Sequence, residues 1–144
     1  MWSKLRKDLS KVVDLKLIDI KCSIYPMRSE RGSTDIPRYF IQYNKEIVFD
    51  FPKDFKDQSF KYYEESYKLK DIYPHLPMVE KVSQLLRDYV NSSLENSEKL
   101  EDELGLIEFL WAGDKRIGKR RYQKYLDRMK NPKAKEILKK RFEN

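Results

Sequence analysis

Apolar residues at the start of the chain follow two different spacings. In residues 2–13 they recur three and four positions apart, which is the period of one helix face, and lysines occupy the opposite face. In residues 16–25 isoleucines alternate with polar side chains, which is the period of a half-buried strand. The pattern predicts a helix over residues 1–13 and a first strand after it.

A polar, glycine-containing segment, residues 27–37, is predicted to be a loop. Residues 39–43 are aromatic and β-branched, residues 46–51 alternate, and an Asn-Lys pair at 44–45 forms a short polar break between them. Two strands around such a break indicate a hairpin. Residues 16–51 are therefore expected to form a three-stranded antiparallel meander.

Beyond Pro77 the helical period continues in four apolar stripes. Polar, glycine or proline breaks separate the stripes, and Gly113 is expected to follow a helix as its C-terminal glycine. Residues 78–143 are therefore predicted to be helical, whereas the tyrosine-rich residues 60–69 fit either a helix or a fourth strand. The predicted fold class is α+β: an N-terminal helix, a three-stranded or four-stranded antiparallel meander, and three to four helices packed on the sheet, in a single domain over residues 1–144.

Charge is concentrated at one end of the sequence. The chain of 144 residues has a net charge of +7, but residues 115–144 hold 13 Lys and Arg against 3 acids, a charge of +10, and residues 1–114 carry −3. Such asymmetry indicates an anionic partner for the basic end. Seven residues of this end are the candidates for binding an anion or a partner: Lys115, Arg116, Lys119, Arg120, Arg121, Lys124 and Arg128.

Three of these cations recur four positions apart. Around a helix that includes them, Arg120, Lys124 and Arg128 lie opposite the apolar face, in a row that suits phosphates along a nucleic-acid strand. The same row is also typical of a solvated helix face, and it suits an acidic protein as well. The three alternatives stay open at the level of the sequence.

A motif rich in charge, Asp114-Lys115-Arg116-Ile117-Gly118-Lys119-Arg120, comes just before this row. Asp114 is expected to cap the following helix and to pair with a neighbouring cation. Gly118 is a poor helix former, which indicates close approach of a backbone or of an anion. The motif fits a structural cap and a ligand site alike.

Tyrosines are numerous in and after the predicted sheet. Tyr contributes a large contact area and a hydroxyl at low entropic cost, so it is common at interfaces, although it also packs inside sheets. Four tyrosines are the candidate interface aromatics: Tyr39, Tyr43, Tyr62 and Tyr63. Ordinary core packing is the alternative for them.

Several kinds of chemistry lack the residues they need. Cys22 and His75 are the only residues of their types, which excludes a disulfide within the chain and a Cys/His zinc site. Cys22 falls on the apolar face of the first strand, and His75 lies between two prolines with no nucleophile and acid fixed beside it. We expect no enzyme activity, no metal and no cofactor. The sequence has no run of about 18 apolar residues and no signal-peptide pattern, so we expect a cytoplasmic protein without a membrane partner.

Two runs of residues, the opening Met1-Trp2-Ser3-Lys4-Leu5 and the motif at 114–120, carry a family resemblance. They are similar to the opening run and to the C-terminal Asp-Lys/Arg-Arg-aliphatic-Gly-Lys-Arg run of an uncharacterised bacterial family of small cytoplasmic proteins. The second run is also similar, more loosely, to one in immunity-type proteins of toxin loci. The resemblance implies a partner protein and supplies no catalytic or cofactor-binding motif.

The sequence thus predicts a binding protein without catalytic activity. Its expected type is a protein-interaction module of immunity or regulatory kind, which uses the sheet tyrosines or the basic helix to bind a protein partner. The alternative is a nucleic-acid-binding protein that uses the basic C-terminal helices.

Overall fold

The structure is a computed structural model, and it describes residues 2–29, 32–51 and 76–143. Within these ranges a helix comes first, three strands follow, and five helices complete the chain. The helices are α1 (Trp2–Leu9), α2 (Leu76–Val90), α3 (Leu94–Ser97), α4 (Leu106–Gly113), α5 (Lys119–Arg128) and α6 (Pro132–Phe142); the strands are β1 (Asp19–Ser29), β2 (Gly32–Tyr43) and β3 (Glu46–Phe51). The α+β class predicted from the sequence is confirmed.

The N-terminal helix is shorter than its apolar period predicts. α1 buries Leu5 and Leu9 and ends there, and turns carry the chain on to Val13. Val13 leaves the helix because its backbone forms an isolated antiparallel bridge with Asp114, far along the sequence. A tertiary pairing therefore replaces the last turn of the helix predicted over residues 1–13.

The sheet has the antiparallel order β1-β2-β3 that the meander requires. β1 and β2 pair from Asp19 opposite Gln42 as far as Ser29 opposite Gly32, so the loop predicted over residues 27–37 is wrong. Antiparallel strands are joined by main-chain hydrogen bonds, which polar side chains do not prevent, so the polar composition was a poor guide here. The loop was predicted where the alternation of apolar residues ends, whereas the pairing of β1 with β2 continues as far as Ser29 and Gly32.

The second hairpin is confirmed at its predicted place. Asn44 and Lys45 connect β2 to β3 with φ angles of 49° and 67°. Positive φ at both central residues is the mark of a type I′ turn, whose twist matches that of two paired strands. The proposed fourth strand at residues 60–69 lies outside the described residues, as does His75.

The helical part begins at Leu76, so Pro77 lies in the first turn of α2, where its missing N–H costs nothing. Among the polar residues 91–99, which separate the first two apolar stripes, lies the short helix α3, which Ser93 caps by accepting the Asn96 N–H at 3.1 Å. α6 starts in the way its sequence indicates, because the side chain of Asn131 accepts two N–H groups of the first turn.

Gly113 has a different role from the one expected. It is the last residue of α4, and Gly105 is the only glycine with positive φ in the described part of the chain. A Cβ at residue 113 would stand 2.6 Å from Cγ1 and 2.7 Å from Cδ1 of Ile18. The glycine is therefore needed because α4 packs too closely against the start of β1 for any side chain.

The core is built around α4, in which every residue except Glu108 is buried. Buried side chains from α1, the sheet and the other helices join one apolar cluster with it. Aromatic contacts link the layers: Phe49 of β3 lies 6.2 Å from Phe109 of α4, measured between ring centroids. α4 leads directly into the motif at residues 114–120, so the packing of this helix fixes where that motif lies.

Candidate functional site

Asp114 is the buried centre of the motif, with no exposed surface. Its Oδ1 accepts the backbone N–H of Arg116 at 2.8 Å and the Nε–H of the same arginine at 3.1 Å. Its Oδ2 accepts Nη2 of Arg116 at 2.8 Å and the hydroxyl of Tyr89 from α2. Arg116 uses its remaining Nη1 to donate to the Ser92 carbonyl at 2.7 Å. The carboxylate is thus fully engaged within the protein.

The surroundings of Tyr89 keep its hydroxyl protonated. Burial raises the pKa of Tyr89 well above its usual value, and the Asp114 carboxylate adds to the rise while Arg116 offsets part of it. The Arg116 guanidinium also lies over the Tyr89 ring, 5.5 Å from its centroid. Tyr89, Asp114 and Arg116 therefore form one buried polar network, with the phenol as a permanent donor.

The expected helix cap is not made by Asp114. α5 begins after Gly118, which makes no side-chain capping bond, while Asp114 closes the preceding turn by accepting the Ile117 N–H on its carbonyl. A Cβ at Gly118 would meet nothing within 4 Å, so no other segment of the described chain approaches this glycine closely. The predicted ion pair of Asp114 with a neighbouring cation is present, in the form of Arg116.

The motif is joined to both ends of the sequence. Arg141 of α6 donates to the carbonyls of Ala112, Asp114 and Ile117 at 2.8, 3.0 and 3.2 Å. These bonds satisfy carbonyls at and beyond the end of α4, where a helix leaves them without partners. On the other side, the Lys115 N–H donates to the Val12 carbonyl at 2.7 Å. The motif is therefore held between the turns that follow α1 and the last helix, α6.

The row of cations on α5 is largely paired. Arg121 lies 3.3 Å from Glu95, and Lys124 and Arg128 lie 3.4 and 2.5 Å from the two oxygens of Glu98. Burial raises the pKa of the Glu98 carboxyl, but its Tyr125, Lys124 and Arg128 neighbours outweigh that effect and the pKa is lowered. These contacts join α5 to the α3 region, and in them two members of the row Arg120, Lys124 and Arg128 share a single carboxylate.

Three of the seven candidate cations remain without an acidic partner among the described residues. Lys115, Lys119 and Arg120 are exposed, and they stand within six positions of one another where α5 begins. The Lys115 ammonium donates to one acceptor, the Ser10 carbonyl, at 2.8 Å. We call Lys115, Lys119 and Arg120 the unpaired cations; the other four candidates serve the fold.

The candidate interface tyrosines lie inside the molecule where they are described. Tyr39 is 8% exposed and Tyr43 is 6% exposed, and both belong to the core cluster. Core packing, the alternative reading, therefore describes these two residues. Tyr62 and Tyr63 lie outside the described residues. In the described part of the chain, the large apolar side chain that is exposed to solvent is Ile47 of β3, with 40% of its surface accessible.

Several residues of this region were not singled out from the sequence. Tyr89 carried only an apolar signal as part of the α2 stripe, and Glu98 looked like one polar residue in a break. Arg141 was one of many cations near the C-terminus. Each of these three residues contacts a residue of another element at least 24 positions away. The spacing of residues along the sequence therefore does not mark them.

No group of three or more His, Cys, Asp or Glu able to hold a metal ion occurs in the described ranges. Cys22 is half-buried, and burial raises the pKa of its thiol, so it remains a packed side chain. In the same ranges the helices are too short or too polar to cross a membrane.

Comparison with known proteins identifies a family. A search of the curated proteins and a search of the solved structures found nothing similar. The profile of the SF0329 protein family matches residues 1–142, nearly the whole chain and both of the runs that carry the resemblance. The chain therefore belongs to the SF0329 protein family.

Proposed function

We propose that the protein is a binding protein without catalytic activity, of immunity or regulatory type, and that its partner is an acidic protein. The observation that carries this proposal is the group of unpaired cations at the start of α5. Exposed cations that no acid of the described chain neutralises attract an anionic surface and speed its association. They stand beside the buried Asp114 network, which gives them a rigid base.

The distribution of the unpaired cations favours an acidic protein over nucleic acid. A nucleic-acid strand presents phosphates at a regular interval over a long distance, so a matching surface repeats its cations. On α5 that repeat is interrupted, since Lys124 and Arg128 both contact Glu98. The charge of +10 in residues 115–144 still favours nucleic acid as the second candidate.

The test uses two labelled probes, a polyglutamate peptide and a set of single-stranded and double-stranded oligonucleotides. Fluorescence anisotropy is measured at about 50 and about 200 mM salt with the wild type and with Lys115→Glu/Lys119→Glu/Arg120→Glu. The matched control is Lys4→Glu/Lys99→Glu/Lys139→Glu. It makes the same change in net charge at exposed lysines that also have no acidic partner among the described residues.

We expect polyglutamate to bind the wild type and the control, and to lose at least about tenfold in affinity with the triple variant at the start of α5. Tighter binding of oligonucleotides, with a steep salt dependence, would transfer the proposal to nucleic acid. Equal losses with the control variant would show a non-specific effect of charge and would refute the proposed surface.

A further inference from the structure

An open depression lies between the end of α1 and the motif that follows α4. Its volume is about 510 Å³, and its lining comes from α1, from the turns after it and from Lys115. The lining residues are Arg6, Ser10, Val13, Asp14, Leu15, Lys16 and Lys115. The N-terminal region meets the motif here, and Lys115, one of the unpaired cations, is part of the lining.

The charged groups around the depression are not equally available. Arg6 is already engaged, because it contacts the Asp19 carboxylate at 3.1 Å and the Ile20 carbonyl. Asp14 accepts the Lys16 backbone N–H at 3.0 Å on Oδ1. Within the described residues the Lys16 ammonium contacts no acid, and the Lys115 ammonium spends one of its three donors on the Ser10 carbonyl. Lys16 and Lys115 therefore have donors to spare.

The main chain supplies a further donor. In the described structure every amide from Ser10 to Ile18 donates to an acceptor except that of Leu15. Leu15 lines the same depression as Lys16 and Lys115. One depression thus holds a residue with a free amide N–H and two lysines with free ammonium donors, which are donors of the kind that bind a compact oxyanion, and Val13 and Leu15 add apolar lining.

We propose that this depression binds a compact oxyanion, a carboxylate or a phosphate group, held by Lys16, Lys115 and the Leu15 amide. The identification of the oxyanion as a side chain of the partner rests on the proposed function. In that case the depression receives one acidic side chain of the partner, while Lys119 and Arg120 contact the surrounding acidic surface. The binding site then includes the turns after α1, which the sequence does not mark.

The experiment follows backbone amide signals of the full chain by NMR during titration in a low-chloride buffer. The probes are inorganic phosphate, O-phosphoserine and N-acetylaspartate, and the last two distinguish a phosphorylated side chain from a carboxylate. The variants are Lys16→Gln and Lys115→Gln, and Lys99→Gln is the matched control at an exposed lysine outside the depression.

We expect saturable shifts of the Leu15 amide and its neighbours, with affinity about fivefold weaker in Lys16→Gln and in Lys115→Gln and unchanged in Lys99→Gln. Shifts that are absent, or equal in all three variants, would overturn the site. If these shifts are absent while polyglutamate still depends on the unpaired cations, only the site fails. If small oxyanions bind here while polyglutamate does not bind, the proposed function fails.

Discussion

Replacement of Asp114 by Asn tests the claim that a buried ion pair holds the motif in place. Asn keeps the size of the side chain but loses the charge and one acceptor oxygen. It can still accept the Arg116 backbone N–H, but it cannot also accept both guanidinium bonds and the Tyr89 hydroxyl. Arg116 would then keep its contact with the Ser92 carbonyl and lose its counter-charge.

The expected loss of stability follows from the burial of the pair. Removal of one partner from a fully buried pair costs about 3–5 kcal/mol, because the remaining charge is left uncompensated. Here Asp114 is fully buried but the Arg116 side chain is 25% exposed, so water recovers part of the loss. We therefore expect the free energy of unfolding to fall by about 2–3 kcal/mol, which lies between this value and that of an exposed pair.

Urea unfolding, followed by far-UV circular dichroism and by tryptophan fluorescence, measures this difference. At a slope of about 2 kcal/mol per molar urea, the midpoint should fall by about 1–1.5 M. Asp19→Asn is the matched control, because the same chemical change there breaks a pair with Arg6 whose side chains are 34% and 43% exposed. That variant should lose less than about 1 kcal/mol.

The comparison of the two Asn variants decides the matter. If Asp114→Asn costs no more than Asp19→Asn, the buried network does not stabilise the fold and the reasoning is refuted. If the two optical probes give different midpoints for Asp114→Asn, the variant has lost two-state behaviour. The energies must then be compared at the lower transition.

Three further predictions concern packing, masking of charge and pH. Gly113→Ala should destabilise by about 1–2 kcal/mol in urea, since its Cβ overlaps Ile18 by more than the helix gains; a loss no greater than that of Gly118→Ala, where the space is open, would contradict this. Glu95→Gln/Glu98→Gln should free Arg121, Lys124 and Arg128 from their acidic partners. Duplex DNA should then bind several-fold more tightly at low salt, as measured by anisotropy. Unchanged affinity would show that these ion pairs do not mask the cations from DNA. The pKa of Tyr89 is raised in the folded state, so its contribution to stability is complete below about pH 10 and is lost as the pH rises further, because the unfolded chain ionises first. The urea midpoint should therefore fall less steeply with alkaline pH in Tyr89→Phe than in the wild type. An unchanged slope would exclude Tyr89 as the cause of the fall.

What the sequence predicted well depends on neighbours in the chain. The turn at Asn44 and Lys45 is local, and it follows from residue type alone. Alternation in strands and spacings of three and four in helices likewise show which face is buried, so the fold class could be predicted from the sequence.

What the sequence predicted poorly depends on contacts between distant segments. α1 ends early because Val13 pairs with Asp114, and Gly113 is small because of Ile18. The cations of α5 looked like a free row because their partners, Glu95 and Glu98, lie in and just after a four-residue helix that is too short to give a period. Charge patterns along a sequence show which residues are cationic, but they do not show which cations the fold has already neutralised.

The junction between residues 10–14 and residues 113–115 also bears on how the chain folds. The bond from the Lys115 ammonium to the Ser10 carbonyl spans 105 positions, and Arg141 completes the same region from still later in the sequence. Contacts between residues so far apart in sequence form late in folding, because a long loop must close before they can stabilise the fold. During synthesis, α1 must therefore wait for α2, the helix it packs against, and the junction itself must wait until α4 and α6 have been made. The apolar side chains of α1 are then open to aggregation and to chaperones while the chain is being made.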